Sequence, residues 1–200
     1  MFLLHARRQP SPSDDLLDFS GTITTGGTAQ VLLPQQPFRS YLLIQNISSG
    51  LLTVGIGPAV ATATVTSNKV ASIAVNNAGL GYTVAPKVRL LGGVTVGLYE
   101  SHQAKQFGFK PAIATATIAA GAISAVTVSD GGAGYQTPPY VYFENPYPDL
   151  GGGGYLPSAT AGVQLQAGQA WIFNGTFCPT SGVNIFGATT GQAFVCKIAI

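Results

Sequence analysis

Charged residues and histidines are scarce in this sequence, and their scarcity argues against several classes of protein. Asp, Glu, Lys and Arg together make up 8% of the 200 residues, whereas an ordinary soluble domain has roughly 25%. The net charge of +2 comes without the clustered Lys and Arg that phosphate binding needs, so we expect no nucleic-acid partner. The two histidines, His5 and His102, lie in no metal-ligand pattern, and we expect no metal and no cofactor.

Long apolar runs and cysteine motifs are also missing. No stretch reaches the ~18–20 uninterrupted apolar residues of a membrane-spanning helix, so we expect no membrane partner. Residues 1–8 place their apolar side chains before their arginines, which is the reverse of a signal peptide. Cys178 and Cys196 show no CxxC spacing and lie in strand-like sequence. We expect two buried thiols, with a disulfide between them as the alternative.

Glycine, proline and apolar residues are abundant instead. The chain has 26 Gly and 13 Pro, and both residue types interrupt helices. Hydrophobic residues make up 46% of the sequence and aromatic residues 10%, which excludes a disordered chain. Short apolar runs between turn residues indicate strands. The sequence therefore predicts an all-β fold: an antiparallel β-sandwich of the jelly-roll type, split by an inserted module of β-repeats.

An internal repeat is the most specific pattern in the sequence. Residues 58–65 read PAVATATV and return, 53 residues later, as PAIATATI at residues 111–118. The same offset continues without a gap through the Gly-x-Gly-Tyr segments at residues 79–82 and 132–135. Chance does not keep one register for so long, so the sequence predicts two copies of one β-unit. We place the copies at residues 58–93 and 111–146.

The repeat divides the chain into an arm, a split sandwich and an inserted module. Residues 1–20 are predicted to form an N-terminal arm, and residues 58–160 the inserted module. The sandwich takes residues 21–57 together with residues 161–200.

Two hairpins are predicted within the sandwich. One joins residues 41–47 to residues 51–56 through a Ser/Gly turn. The other joins residues 171–173 to residues 176–177 through Asn174-Gly175, a pair that suits a type I′ turn.

Each copy of the unit is predicted to form three strands. In the second copy, Pro139 opens the third strand, which we expect on the outside of the sheet because proline lacks an N–H to donate. Alternation along this strand points Val141 and Phe143 inward and the two tyrosines Tyr140 and Tyr142 outward. The first copy has the same pattern, with Val88 and Leu90 inward and Lys87 and Arg89 outward.

Catalytic patterns are weak, and we expect no enzymatic activity. No Gly-x-Ser-x-Gly elbow is present, and neither cysteine has a base nearby in the sequence. The weakest of our hypotheses is a polysaccharide-degrading enzyme. It requires Glu100, Glu144 and Asp149 to approach one another within about 5–10 Å.

Uncharged surface and exposed aromatic residues point to binding. A solitary protein of this size stays soluble with a mixed, charged surface, so we expect much of this one to be buried against other subunits, including copies of itself. Tyrosines beside Gly-rich loops can anchor a protein interface or stack on sugar rings, or can simply pack on one another. The candidate partner-binding residues are Phe2, Leu3, Leu4, Arg7 and Arg8 in the arm and Tyr140, Tyr142 and Tyr147 in the module.

Several segments resemble a family of phage proteins. Residues 21–33 (GTITTGGTAQVLL) and 39–46 (RSYLLIQN) resemble the opening of small β-sandwich proteins encoded among the structural genes of tailed bacteriophages, and residues 187–194 (GATTGQAF) are similar to their end. The Gly-x-Gly-Tyr-x-x-x-Pro unit, at residues 79–86 and 132–139, resembles repeats in many phage virion and appendage proteins. Together these segments are spread over most of residues 21–200, and the insertion departs from the uninterrupted sandwich of such relatives.

The resemblance implies a non-enzymatic component of the virion, assembled in the cytoplasm of the bacterial host. It implies a capsid decoration or head-neck accessory protein that docks on other virion proteins, such as major capsid, neck or tail subunits. The alternative is a tail-fibre or receptor-binding accessory module that recognises a glycan on the host surface through Tyr140 and Tyr142. The resemblance supplies no functional residues of its own.

Overall fold

The structure, a computed structural model, describes residues 16–94, 108–144 and 152–200, and nearly all of its regular elements are strands. Every strand pair in its three sheets is antiparallel. In this part of the chain, no helix has the length and apolar character to cross a membrane. The prediction of an all-β antiparallel fold is confirmed.

The strands are β1 (Leu17–Asp18), β2 (Gly21–Thr22), β3 (Gln30–Leu33), β4 (Tyr41–Asn46), β5 (Leu52–Ile56), β6 (Val60–Thr66), β7 (Lys69–Asn77), β8 (Lys87–Leu91), β9 (Ile113–Ala119), β10 (Ala122–Asp130), β11 (Tyr140–Glu144), β12 (Val163–Leu165), β13 (Ala170–Asn174), β14 (Val183–Gly187) and β15 (Ala193–Ala199).

Two of the sheets form a jelly roll. One has the order β1-β15-β4-β13, with β2 also pairing to β15, and the other has the order β12-β5-β14-β3. With β1 and β2 counted as one interrupted strand, the sheets take strands 1-8-3-6 and 5-4-7-2 of an eight-stranded chain, which is the jelly-roll order. Because β1 pairs with β15, the sandwich includes Leu17 and Asp18, which lie within the range assigned to the arm.

Alternating apolar residues from both sheets fill the space between them. In β4 the side chains of Leu42 and Ile44 point inward, and in β15 those of Cys196 and Ile198 do the same. Each fully buried aliphatic side chain contributes about 1.5–3 kcal/mol. The buried core comprises Ile23, Leu33, Leu42, Ile44, Leu52, Val54, Leu165, Cys178, Val183, Ile185, Phe194, Cys196 and Ile198.

The predicted hairpin between residues 41–47 and 51–56 is wrong. The two segments form β4 and β5, which belong to opposite sheets, so the Ser/Gly turn carries the chain across the sandwich. Asn46 fixes this crossing and is fully buried. Its Nδ2 donates to the carbonyl oxygens of Gly50, at 2.7 Å, and Leu165, at 2.8 Å, while its Oδ1 accepts the N–H of Ser48.

The predicted type I′ hairpin at Asn174-Gly175 is also wrong. A type I′ turn needs positive φ at both central residues, but Asn174 is extended, with φ −140°. The chain continues into a 3₁₀ turn at Gly175–Phe177 instead of a returning strand. The partner of β13 is therefore β4.

Both cysteines are free and buried, as the first of the two alternatives predicted. Burial raises the pKa of Cys196 to about 12 and also raises that of Cys178. Because the thiolate is the reactive form, a pKa near 12 leaves about one Cys196 thiol in ten thousand ionised at pH 8.

We expect iodoacetamide at pH 8 to leave Cys196 unmodified in the folded chain and to alkylate both thiols after unfolding in denaturant without reductant. Peptide mass spectrometry of the two reactions checks this. Alkylation of Cys196 at the same rate in both states would contradict its burial, and a disulfide-linked peptide would contradict the free thiols.

The inserted module contains a third sheet, built from the two repeat copies. Each copy forms three strands, as predicted, but the third strands are exchanged between the copies. The sheet order is β10-β9-β8-β11-β6-β7, so β8 of the first copy lies beside β9 of the second, and β11 lies beside β6. The strand after Pro139 is therefore central and not at the outside, contrary to the prediction.

The two copies are related by a pseudo-twofold axis through the centre of this sheet. In the β8–β11 pair, Arg89 lies opposite Tyr142, its own equivalent 53 residues later. The ends of the sheet obey the same symmetry: Val70 N–H donates to Gly131 O and Ile123 N–H donates to Ala78 O, both at 2.9 Å. These bonds link the ends of β7 and β10, the two outer strands of the sheet.

The tyrosine of each Gly-x-Gly-Tyr segment anchors its copy from the inside. Tyr82 and Tyr135 are 2% and 1% exposed. The Tyr82 hydroxyl accepts the N–H of Ala59 at 3.2 Å, and the Tyr135 hydroxyl accepts the N–H of Ala112 at 2.9 Å. The glycines before them have φ between 65° and 89°, a range that L-residues with a Cβ avoid.

Residues 152–162 attach the module to the jelly roll. Leu80 and Gly154 exchange two backbone hydrogen bonds, of 2.8 and 2.9 Å. Asn184, which is fully buried on β14, donates from Nδ2 to the carbonyl oxygens of Leu80 and Tyr155. The segment thus covers the outer side of the β5–β14 sheet, and Asn184 ties three parts of the chain together.

Candidate functional site

The outward side chains of β8 and β11 form one surface at the centre of the module. Alternation in these strands turns the apolar side chains inward and leaves polar and aromatic side chains outside. The register places Tyr140 opposite Leu91, Tyr142 opposite Arg89, and Glu144 opposite Lys87. We call these six residues, Lys87, Arg89, Leu91, Tyr140, Tyr142 and Glu144, the central face.

The central face is where the two copies differ in chemistry. The outward threonines of the neighbouring strands are kept, with Thr62 and Thr64 matching Thr115 and Thr117. On the central face each equivalent pair changes class: Lys87 to Tyr140, Arg89 to Tyr142, and Leu91 to Glu144. Because the third strands meet at the centre of the sheet, these three diverged pairs lie together. The two copies thus share their strands and turns but differ on the central face, as expected for a binding surface.

An aromatic half and an ionic half make up the central face. Tyr140 is 64% exposed and Leu91 53% exposed, and they lie opposite each other at one end. At the other end Arg89 Nε donates to Glu144 Oε2 at 2.8 Å. The pair is solvent-exposed, so it adds little to stability, but it holds the carboxylate in a defined position.

A cleft between the module and the jelly roll begins at the ionic half. Its volume is about 360 Å³. The module contributes Pro58, Tyr142 and Glu144, and the jelly roll contributes Gln35, Thr180 and Ser181. Both apolar and polar atoms therefore face the cleft.

Buried Arg39 supports the wall that carries Thr180 and Ser181. Its guanidinium donates to the carbonyl oxygens of Pro34 at 2.9 Å, Pro179 at 2.6 Å and Ser181 at 3.2 Å. The side chain is 3% exposed, and this burial lowers the pKa of the guanidinium, although arginine stays protonated in proteins. Three bonds from one rigid group fix the loop, so this wall is formed before any ligand arrives.

The structure places some of the predicted site residues and not others. Tyr140 and Tyr142 are exposed on β11, as predicted, and only Tyr142 reaches the cleft. Glu144 pairs with Arg89. Tyr155, from the same sequence cluster, lies half-buried over β5. The predicted residues outside the described ranges are Phe2, Leu3, Leu4, Arg7, Arg8, Tyr147, Glu100 and Asp149.

Sequence reasoning missed the jelly-roll side of the cleft. Gln35, Arg39, Thr180 and Ser181 lie in connecting segments without periodicity, and no local pattern singles them out. Across residues 16–94, 108–144 and 152–200, no group of three or more His, Cys, Asp or Glu side chains is placed to hold a metal ion.

Comparisons of the chain with protein-family models, with curated proteins and with solved structures give no match. The observations that bear on function are therefore the jelly-roll topology, the symmetric module with its central face, and the distribution of exposed apolar side chains.

Proposed function

We propose that the chain is a non-enzymatic structural protein of a tailed-phage virion, of the capsid decoration or head-neck accessory kind. The jelly roll attaches to neighbouring virion subunits, and the inserted module presents the central face. Jelly rolls are common in viral capsid proteins, and the resemblance of residues 21–46 and 187–194 to phage structural proteins agrees with this assignment.

An exposed apolar end of the jelly roll carries the proposal. Phe38 is 66% exposed, Phe177 84% and Ile200 54%. Backbone hydrogen bonds bring their segments together, since Ser40 N–H donates to Ala199 O and Gly175 N–H donates to Ser40 O. Large exposed apolar side chains gathered at one end of a domain mark an interaction surface. Covering them gives about 25 cal/mol per Å² before the costs of association.

Two variants should lose attachment to the particle while keeping the fold: deletion of residues 1–12, and Phe177→Ser. The deletion removes an apolar arm that a neighbouring subunit would cover, and the substitution removes the most exposed aromatic ring of the apolar end. Phe177 belongs to neither of the two buried cores. Gel densitometry of purified particles measures occupancy, and thermal unfolding of the isolated chain checks the fold.

Val60→Ser provides the matched control, because Val60 is exposed on the module and away from the apolar end. We expect its occupancy to equal that of the unaltered chain. Full occupancy by both the deletion and Phe177→Ser would contradict attachment through the arm and the apolar end.

A further inference from the structure

We propose that the cleft between the module and the jelly roll binds a neutral saccharide, with Tyr142 as the stacking platform. The ligand class is a hexose or N-acetylhexosamine unit of a surface polysaccharide. This activity goes beyond a structural role and does not depend on the location of the chain in a particle.

The size of the cleft suits a small part of a glycan. At about 360 Å³ it lies near the lower end of the 300–1,000 Å³ range of small-molecule sites, with room for about one or two sugar rings. Tyr142 and Glu144 line the cleft and also belong to the central face. A longer chain could therefore continue outward from a bound ring.

The apolar contacts come from Tyr142, Ile56 and Pro58. Tyr142 keeps 39% of its surface exposed, while Ile56 and Pro58 line the cleft from the β5–β6 connection. A pyranose ring presents C–H groups on one face, and an aromatic ring can cover that face while its hydroxyl stays in water.

The polar contacts are arranged for hydroxyl groups and not for an ion. Glu144 offers carboxylate oxygens as acceptors, but the Arg89 guanidinium at 2.8 Å offsets its charge. Thr180 and Ser181 add hydroxyl groups from the opposite wall. Glu144 is the one charged residue among the described lining of the cleft, and its charge is paired with Arg89, so an uncharged polyol fits best.

The wall across from the module is rigid, which favours binding. Arg39 holds Pro179 and Ser181 through their carbonyl oxygens, and Gly57 N–H donates to Ser181 Oγ at 3.2 Å, so three hydrogen bonds hold this wall in place. A preformed site loses little conformational entropy on binding.

The test compares Tyr142→Ala with Tyr140→Ala. Both tyrosines lie on the same face of the same strand, but only Tyr142 lines the cleft. The full chain is applied to an array of neutral hexose and N-acetylhexosamine oligosaccharides, and the affinity for the best-bound one is measured by calorimetry. We expect Tyr142→Ala to weaken binding about tenfold or more and Tyr140→Ala to leave it within about twofold, the size of effect typical away from a hot spot.

Glu144→Gln provides a second test of the site, because glutamine keeps the shape of the glutamate side chain and removes its charge. We expect about tenfold weaker binding, since hydrogen bonds to charged groups are the stronger ones. Thermal unfolding of each variant shows that the fold is retained. The proposal is overturned if no neutral oligosaccharide binds, or if Tyr142→Ala binds as well as Tyr140→Ala.

Discussion

Tyr135→Ala is expected to lower the free energy of unfolding by about 3–5 kcal/mol, the range for removing a large buried aromatic side chain. The ring is 1% exposed and packs edge-on against Phe109, with centroids 5.3 Å apart. Its hydroxyl also satisfies the N–H of Ala112. The substitution therefore leaves a cavity and an unpaired donor together. Urea denaturation followed by tyrosine fluorescence and circular dichroism measures the change.

Conservative variants separate the two causes and test the symmetry. Tyr135→Phe removes only the hydroxyl, and we expect a loss of about 1–3 kcal/mol from the stranded N–H. Tyr82→Phe removes the equivalent hydroxyl in the first copy, which accepts the N–H of Ala59. The pseudo-twofold axis predicts losses of similar size. A loss for one variant and none for the other would contradict equivalent anchoring of the two copies.

Gly154→Ala is expected to destabilise the chain by about 2–3 kcal/mol through steric conflict with backbone atoms. A Cβ on Gly154 would lie 2.0 Å from Gly182 O and 2.5 Å from Gly182 C. A shift of Gly154 would break its paired hydrogen bonds with Leu80, and a shift of Gly182 would break the bond from its N–H to Gly153 O. For a chain of this length, the loss corresponds to a fall in Tm of roughly 4–12 °C.

Gly21→Ala is the matched control for Gly154→Ala. Gly21 lies in β2, and a Cβ there would meet only the Phe194 ring, at an ordinary 3.6 Å. We expect a change within about 0.5 kcal/mol. If Gly154→Ala melts at the temperature of the Gly21→Ala chain, the close packing of residues 152–162 on the jelly roll is contradicted.

Local patterns in the sequence predict local structure well in this chain. The constant offset of 53 residues predicts two copies of three strands, and alternation predicts the inward positions of Val141 and Phe143. Alternation in residues 194–200 likewise predicts the inward Cys196. These features depend on which side of a strand a residue occupies, and a period of two determines that side.

Strand partners could not be read in the same way. The third strand of each copy buries the same side chains whether it pairs with a strand of its own copy or of the other copy. The sequence therefore does not predict the exchange of β8 and β11. The Ser48-Ser49-Gly50 segment reverses the chain equally well within a sheet or between two sheets. Buried Asn46 favours the second case through its bonds to the nearby Gly50 and to Leu165, which is 119 residues away in the sequence.

For the candidate site, too, the sequence predicts which side chains are exposed but not which of them meet. Exposure of Tyr140 and Tyr142 follows from alternation, and the structure agrees. Alternation does not predict that Tyr142 lines the cleft and Tyr140 does not, because the cleft forms where β11 meets the loops around Gln35 and Ser181. Contacts between segments that are distant in the sequence depend on the tertiary fold and leave no periodic signal.

Immunogold electron microscopy of purified phage particles, with an antibody against this chain, tests the proposed virion role most directly. We expect label on intact particles: spread over the heads for a decoration protein, or at the head-tail junction for a neck accessory protein. The Phe177→Ser chain should give reduced label in the same preparation. Intact particles that carry no label at all would contradict the proposed function.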